Sequence, residues 1–254
     1  MYSGLNLPAR NGKPRENGIT VLIDNGVPLR FFEDTVDSSG DYIDYVKFGW
    51  GTSLVTRGLE RKIDCLRSRG IGFFFGGTLF EKFAAQGKMD DYERFLQTYH
   101  CECLEISNGT LDIPNDEKAG YIRRFAGRYK VFSEVGAKDG VRSMDQTAAE
   151  WAAWIREDLE AGAYKVITEA RESGTSGLCR ADGQMRLDIV DEIAGSGIPL
   201  ERILFEAPSK ALQTLFIQLN GANVNLANIP FSDAISLETL RLGLRSDTFF
   251  LFDK

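Results

Sequence analysis

One histidine, His100, occurs in the 254 residues. A zinc centre built on imidazoles therefore has too few ligands, and Ser-His-Asp or Cys-His catalysis would rest on that one ring. His100 stands just before an apolar run and not after one, a poor place for a catalytic base. Cysteine is scarce as well. Cys65, Cys101, Cys103 and Cys179 offer a single close pair, a Cys-x-Cys inside an apolar run that matches no zinc spacing, so all four are expected to be reduced and structural. Positive charge is not in excess. Thirty Lys and Arg against 37 Asp and Glu leave a net charge of -7. The bulk field thus recruits neither nucleic acid nor an anionic membrane, and a site for an anionic substrate must be basic locally. No apolar run approaches the roughly 18 residues of a membrane helix. The opening Met1-Tyr2-Ser3-Gly4-Leu5-Asn6 lacks a charged segment followed by an apolar one. A cytoplasmic protein with no nucleic-acid or membrane partner is expected. Linkers and low-complexity tracts are missing too, which predicts one domain over residues 1–254.

What is present is a regular alternation. Short apolar runs at 19–24, 45–49, 71–76, 101–107, 130–135, 164–169, 203–205 and 223–229 read as strands. Helical periodicity falls between them, at 54–69, 90–99, 118–129, 147–161, 182–194 and 209–219, with a last stretch at 233–244. Strands that alternate with helices are joined by right-handed crossovers into a parallel sheet. Eight units in this length predict a single-domain (β/α)8 TIM barrel. An open doubly wound sheet is the alternative, but the turn after the first strand, Asp24-Asn25-Gly26-Val27-Pro28, is not its Gly-x-Gly-x-x-Gly fingerprint. The Pro-, Gly- and charge-rich segment 8–15 is expected to run over the surface or cap a barrel end.

A barrel of this kind carries its chemistry at the carboxyl ends of the strands. Those ends are polar here: Asp24, Lys47, Glu105, Glu134 with Lys138 just beyond, Glu169 with Arg171, Glu206, and Asn223, Asn225 and Asn228 on the eighth strand. Converging carboxylates repel unless something positive lies among them, an arrangement that suits Mg2+ with oxygen ligands. The plainer account pairs each of them with neighbouring Lys and Arg as rim ion pairs. A second pattern is Gly-Thr after a strand, at Gly51-Thr52, Gly77-Thr78, Gly109-Thr110 and Gly174-Thr175. Glycine lets backbone approach a ligand and threonine can cap a helix start that accepts anions, although capping alone also explains such pairs.

Lys47-Phe48-Gly49-Trp50-Gly51-Thr52-Ser53, Gly76-Gly77-Thr78-Leu79-Phe80-Glu81 and Glu105-Ile106-Ser107-Asn108-Gly109-Thr110 together resemble the phosphosulfolactate synthase family. Ser133-Glu134-Val135-Gly136, Glu169-Ala170-Arg171-Glu172-Ser173-Gly174-Thr175, Phe205-Glu206-Ala207-Pro208, Asn223-Val224-Asn225-Leu226 and the run from Glu238 to Thr248 follow in the family's order. The resemblance implies a Mg2+-dependent barrel lyase that adds sulfite to phosphoenolpyruvate. The product would be (2R)-2-phospho-3-sulfolactate, for coenzyme M or for sulfolactate as an end product. Plant relatives linked to heat tolerance keep a non-catalytic or stress-protection role open, and another small nucleophile is a further alternative. Three departures stand out: Asn108 where the family has Asp, which would remove a charge near the metal, and Ala137 and Ala227, which are tolerable.

The chemistry asks for cations, because two polyanions must meet. Lys47, Lys138 and Arg171 are expected to be catalytic, with Lys138 either protonating C2 or anchoring phosphate. Asn225, Asn228, Arg241, Arg245, Lys210 and Thr78 are expected at the substrate, and Glu105, Glu134 and Glu169 at the metal. A Schiff-base lysine, Lys165, is the competing enzyme mechanism, disfavoured by its place at a strand's start. Phe73-Phe74-Phe75, Trp151, Trp154 and Phe249-Phe250 are expected in the core or at a subunit contact. The apolar end, from Thr248 to Phe252, together with the family, suggests a homo-oligomer.

Overall fold

A computed structural model of the chain describes residues 4–138, 145–170, 177–179 and 185–253. Eight parallel strands are present: β1 (Thr20–Asp24), β2 (Tyr45–Phe48), β3 (Gly72–Phe75), β4 (Cys103–Ile106), β5 (Lys130–Val135), β6 (Lys165–Thr168), β7 (Ile203–Glu206) and β8 (Leu226–Pro230). Their order is β3-β2-β1-β8-β7-β6-β5-β4, and β3 lies against β4 without a continuous ladder, so the sheet curls into a nearly closed barrel. The described helices are α1 (Leu29–Ser39), α2 (Leu59–Ser68), α3 (Gly77–Ala85), α4 (Met89–Thr98), α5 (Asn115–Ala126), α6 (Ala148–Glu160), α7 (Leu187–Gly195), α8 (Lys210–Asn220) and α9 (Ala234–Arg241). The expected (β/α)8 barrel is therefore the fold. None of the described helices is long and apolar enough to cross a membrane.

Two helices escape the periodicity. α1 begins after Pro28, and α3 opens on Gly77-Thr78, residues that look like a turn in sequence. The expected helix start at 54 is also late. Gly49–Leu54 forms a tight 3-10 turn, and α2 begins at Leu59. Elsewhere the local signals are plain. Thr147 and Glu150 form a reciprocal capping box at the start of α6, and the Ser209 hydroxyl accepts from Leu212 N–H at the start of α8.

The barrel interior follows the two-residue period of a strand. Val21, Phe74, Phe132, Ile167, Leu204 and Ala227 form a buried apolar plug inside it. Two residues further along the respective strands stand Lys47 above Tyr45, Glu105 above Cys103, Glu134 above Phe132, Glu169 above Ile167 and Glu206 above Leu204, all buried. The intervening residues, such as Val46, Leu104, Val166 and Phe205, face outward into the larger core between strands and helices.

The amino-terminal segment closes the bottom of the barrel, as its composition suggests. Arg10 donates to Glu238 at 2.8 Å and to the Ala222 carbonyl at 3.1 Å, and Arg15 donates to Asp44 at 2.9 Å. Behind the acidic strand ends, Lys118 on α5 pairs with Asp158 on α6 at 2.7 Å, both fully buried, and donates to the Glu134 carbonyl at 3.0 Å. Removing one member of such a pair strands the other charge without water. Lys118→Met is expected to lower stability by about 3–5 kcal/mol, read from urea unfolding.

Candidate active site

Above the apolar plug, at the carboxyl ends of the strands, opens a cavity of about 810 Å3. Lys47 occupies its floor. Its ammonium lies 2.9 Å from Glu105, 3.3 Å from Glu134 and 3.4 Å from Glu206. Lys138, just past β5, reaches over the same acids, 3.0 Å from Glu134, 3.8 Å from Glu81 and 3.9 Å from Glu169, with the Thr78 hydroxyl at 3.5 Å. Five buried carboxylates thus face two ammonium groups.

Several acids also hold backbone. Glu105 accepts from Gly77 N–H at 2.6 Å, where α3 begins. A Cβ on Gly77 would fall 2.2 Å from Ser107 Oγ and 2.8 Å from Glu105 Oε1, so only glycine allows this approach. Glu206 accepts from Ala170 N–H at 2.9 Å and from the Asn228 amide. Glu81 accepts from the Ser107 hydroxyl at 2.5 Å, from Thr110 N–H at 2.8 Å and from Leu111 N–H, and so fastens the loop after β4 against Lys138. The Lys138 N–H in turn donates to the Gly109 carbonyl at 3.1 Å.

The protonation pattern reflects the surplus of acid. Burial favours the neutral amine of Lys47, but Glu105, Glu134 and Glu206 outweigh it and hold the ammonium well above the ordinary lysine range. Burial likewise works against a charged Lys138, and Glu134 and Glu169 overcome it in the same way. Glu134 is desolvated too, yet the two lysines beside it pull it well below an ordinary carboxyl. Burial, then Glu206 and Glu134, push Glu169 well up, and burial with Glu134 lifts Glu105 despite Lys47. Glu206 is pushed up to about 7, by burial first and by Glu134, against the pull of Lys47.

Oxygen atoms of Glu134, Glu169 and Glu206 lie within 4.8 Å of one another. Glu169 Oε2 and Asn228 Oδ1 are buried without a hydrogen-bond partner. Hard oxygen donors converging around unfilled lone pairs fit a hard divalent cation such as Mg2+. The triangle differs from the expected metal set in one member: Glu206 takes the place of Glu105, whose two oxygens serve Gly77 N–H and Lys47.

Lys47, Lys138, Thr78, Asn228, Glu105, Glu134 and Glu169 all line the cavity, as the sequence suggested. Four expected substrate contacts, Asn225, Arg241, Lys210 and Arg245, lie away from it. Asn225 precedes β8, at the opposite end of the barrel, where its side chain accepts from Ile19 N–H at 3.0 Å and donates to the carbonyls of Glu201 and Ile203. β8 begins only at Leu226, so Asn225 lies before the strand and not at its carboxyl end. Arg241 ends α9, fully buried at that same bottom, and donates to the carbonyls of Ala222 and Val224, both at 2.7 Å. Burial brings its pKa down to about 9. Lys210 pairs on the outside with Asp247 at 2.7 Å, and Arg245 lies in the turn beyond α9. Arg171 and the Gly174-Thr175 pair lie outside the described residues.

Other expectations resolve as well. Asp24 pairs with Lys62 at 2.5 Å and ties the β1–α1 turn outside the cavity. Lys165 sits at the bottom, donating to the carbonyls of Glu16 and Glu201, and exposed His100 lies in the turn before β4. Asn108 donates to the Ile113 carbonyl at 3.0 Å, within its own loop, so the departure at this position touches none of the acids. Phe73, Phe74, Phe75 and Trp151 are core, whereas Phe249 and Phe250 are exposed and pack edge to face on each other. Glu81 went unnoticed because it comes from a helix, where strand-end logic does not look. Its signals are its place at the end of the Gly76–Glu81 motif and its position one turn past Gly77.

The family model for (2R)-phospho-3-sulfolactate synthase (ComA) matches residues 8–247. A phosphosulfolactate synthase of Bacillus subtilis is 59% identical over 247 residues, covering 97% of this chain and 98% of that one. One from Methanocaldococcus jannaschii is 42% identical over 238 residues, covering 92% and 94%. Among solved structures, a phosphonopyruvate hydrolase complexed with oxalate and Mg++ shares the fold at a TM-score of 0.55, with 10% identity over 86% of this chain and 77% of that one.

The raised carboxyl of Glu206 has a measurable consequence. In the unfolded chain it ionises near its ordinary 4.5, and in the fold near 7. Between those values the folded state binds more protons, so this group's contribution to stability falls as pH rises. Glu206→Gln removes the titration. In EDTA, the stability of the variant relative to wild type is expected to climb from about pH 4.5 to about pH 7 and to level off above, as measured by chemical denaturation across pH.

Proposed function

The chain belongs to the phosphosulfolactate synthase family, and from that premise we propose that it adds sulfite to phosphoenolpyruvate, with Mg2+, to give (2R)-2-phospho-3-sulfolactate. The observation that carries this reading is the buried triangle of Glu134, Glu169 and Glu206 with Lys47 and Lys138 set into it, at the mouth of the barrel. The product would enter a route to coenzyme M or leave as sulfolactate.

Phosphoenolpyruvate is ordinarily nucleophilic at its methylene carbon, so attack there by sulfite needs the carboxylate to accept electrons. A divalent ion held by Glu134, Glu169 and Glu206 would supply that Lewis-acid stabilisation. Lys47 is locked on three carboxylates and keeps the floor from repelling an anion outright. Lys138 is less enclosed, with 26% of its side chain exposed to the cavity, and is protonated at neutral pH. Lys138 is proposed to hand a proton to C2, an acid role that requires the pull of Glu134 and Glu169 on its ammonium to be relieved when cation and substrate are bound. Glu81 and Gly109 fix where it stands. Asn228 on β8 and Ser232 just after it line the side of the cavity where barrels commonly hold phosphate, and Arg171 is proposed as a further anion contact.

The purified protein with phosphoenolpyruvate, sulfite and Mg2+ is expected to form the phosphosulfonate, detected by mass spectrometry, and to form none with EDTA or without sulfite. Lys138→Ala is expected to lose about a hundredfold or more in kcat. Near-normal turnover by that variant would remove the acid role and leave Lys138 as an anchor. Bound phosphoenolpyruvate with no reaction would overturn sulfite as the nucleophile.

A further inference from the structure

We propose that the apolar side of the cavity is a subsite for an organic substituent on the sulfur nucleophile, so that the enzyme also adds alkane- and arenesulfinates to phosphoenolpyruvate and makes sulfones. The inference rests on the sulfite addition proposed above and extends it to a second substrate class.

The cavity has two unlike halves. Its charged half comes from β2 and from the ends of β4 to β7. The other half is built by β1 and by the segments after β1, β2 and β8, where Ile23, Val27, Phe31, Trp50 and Phe231 give an apolar surface beside Asn25 and Ser232, with no charge. Phosphoenolpyruvate and sulfite together displace roughly the volume of eight waters, about 250 Å3 at about 30 Å3 each. That is well under the 810 Å3 of this open cavity, which lies in the range of clefts that take larger organic ligands. Two small anions have no use for an aromatic wall.

The wall is also built with care. Trp50 has φ 52° and ψ 23°, the left-handed region that a bulky side chain rarely adopts. Such strain persists where the surroundings over-determine it, and it concentrates at ligand clamps. The surroundings here are visible: the Thr52 hydroxyl donates to the Gly49 carbonyl at 2.8 Å and to the Asp24 carbonyl at 3.3 Å, and a Cβ on Gly49 would fall 2.8 Å from Ile23. The turn therefore holds the indole at the cavity, yet 56% of Trp50 and 43% of Phe31 remain exposed. Neither ring packs on another aromatic ring among the described residues. Two open aromatic faces beside a small-anion site are the place for a carbon group.

A sulfinate meets both halves. It keeps the sulfur lone pair that attacks, replaces one sulfite oxygen with carbon, and carries one charge, which the acidic floor repels less than two. The sulfur lone pair forms the S–C bond at the methylene carbon, the π pair moves to C2 and takes a proton from Lys138, and no bond to phosphate breaks. No external oxidant or reductant enters.

The test compares sulfite, methanesulfinate and benzenesulfinate with phosphoenolpyruvate and Mg2+, following the adducts by mass spectrometry and their rates by phosphoenolpyruvate consumption. Both sulfinates are expected to give sulfones, with kcat/KM for benzenesulfinate at least about tenfold above that for methanesulfinate, because the ring is buried on the wall. Trp50→Gly, which suits the left-handed backbone and should fold, and Phe31→Ala are expected to bring that ratio toward one. Sulfite turnover with no sulfone from either sulfinate overturns the inference and spares the proposed function, as does a ratio unchanged in both variants. If sulfite and the sulfinates all fail, the proposed function falls, and the subsite with it.

Discussion

The Lys47 ammonium, buried among Glu105, Glu134 and Glu206, is the contact on which the upper half of the barrel depends. Each of those acids, taken alone into the barrel, would lose several kcal/mol of hydration or else take up a proton. One point charge at the centre lets three strands turn a carboxylate inward at the same level. The rest of the site follows from that permission, because an acid that stays buried is also free to hold backbone. Glu105 fixes the start of α3, and Glu206 fixes the exit of β6 and the side chain of Asn228.

The acids that face the cavity are therefore the same ones that fasten the helix start and strand exit around it. Glu81 extends the pattern outward, gathering Ser107, Thr110 and Leu111 so that the loop after β4 presses on Lys138. Lys118 and Asp158 extend it backward, holding the carbonyl of Glu134 from behind. Glu81 and Lys118 thus each touch the cavity residues through a single side chain, Lys138 in one case and Glu134 in the other.

The barrel was legible because its signals are local: apolar runs of period two, helical stretches between them, and no nucleotide fingerprint after Asp24. The inward acids were legible for the same reason, since period two puts Glu134 on the same face as Phe132 and Glu169 on the same face as Ile167. What was not legible needs a third dimension. Asn225 and Arg241 belong to motifs that fit the family, but nothing in their spacing says which end of the barrel they serve, and a start of β8 at Leu226 decides it. The exchange of Glu105 for Glu206 in the acidic triangle depends on where Gly77 N–H points, which no periodicity encodes. Glu81 lies on a helix that its Gly-Thr start disguises as a turn.

The two ends of the barrel show what separates a scaffold from a site. At the bottom, Arg10, Arg15, Arg241 and Lys165 spend their donors on carbonyls and on Glu238, Asp44 and Glu16, so these cations are turned inward to the chain. At the top, acids outnumber the lysines that face them, Glu169 is driven toward its neutral form, and Glu169 Oε2 and Asn228 Oδ1 keep open lone pairs. An acceptor surplus of this kind is stable only with a proton or a cation in it. A cation bound there would turn an acid-lined cavity into one that can receive anions, and the charge of -7 over the whole chain would be no obstacle to that, because the field that matters is set within a few ångströms of Glu134, Glu169 and Glu206.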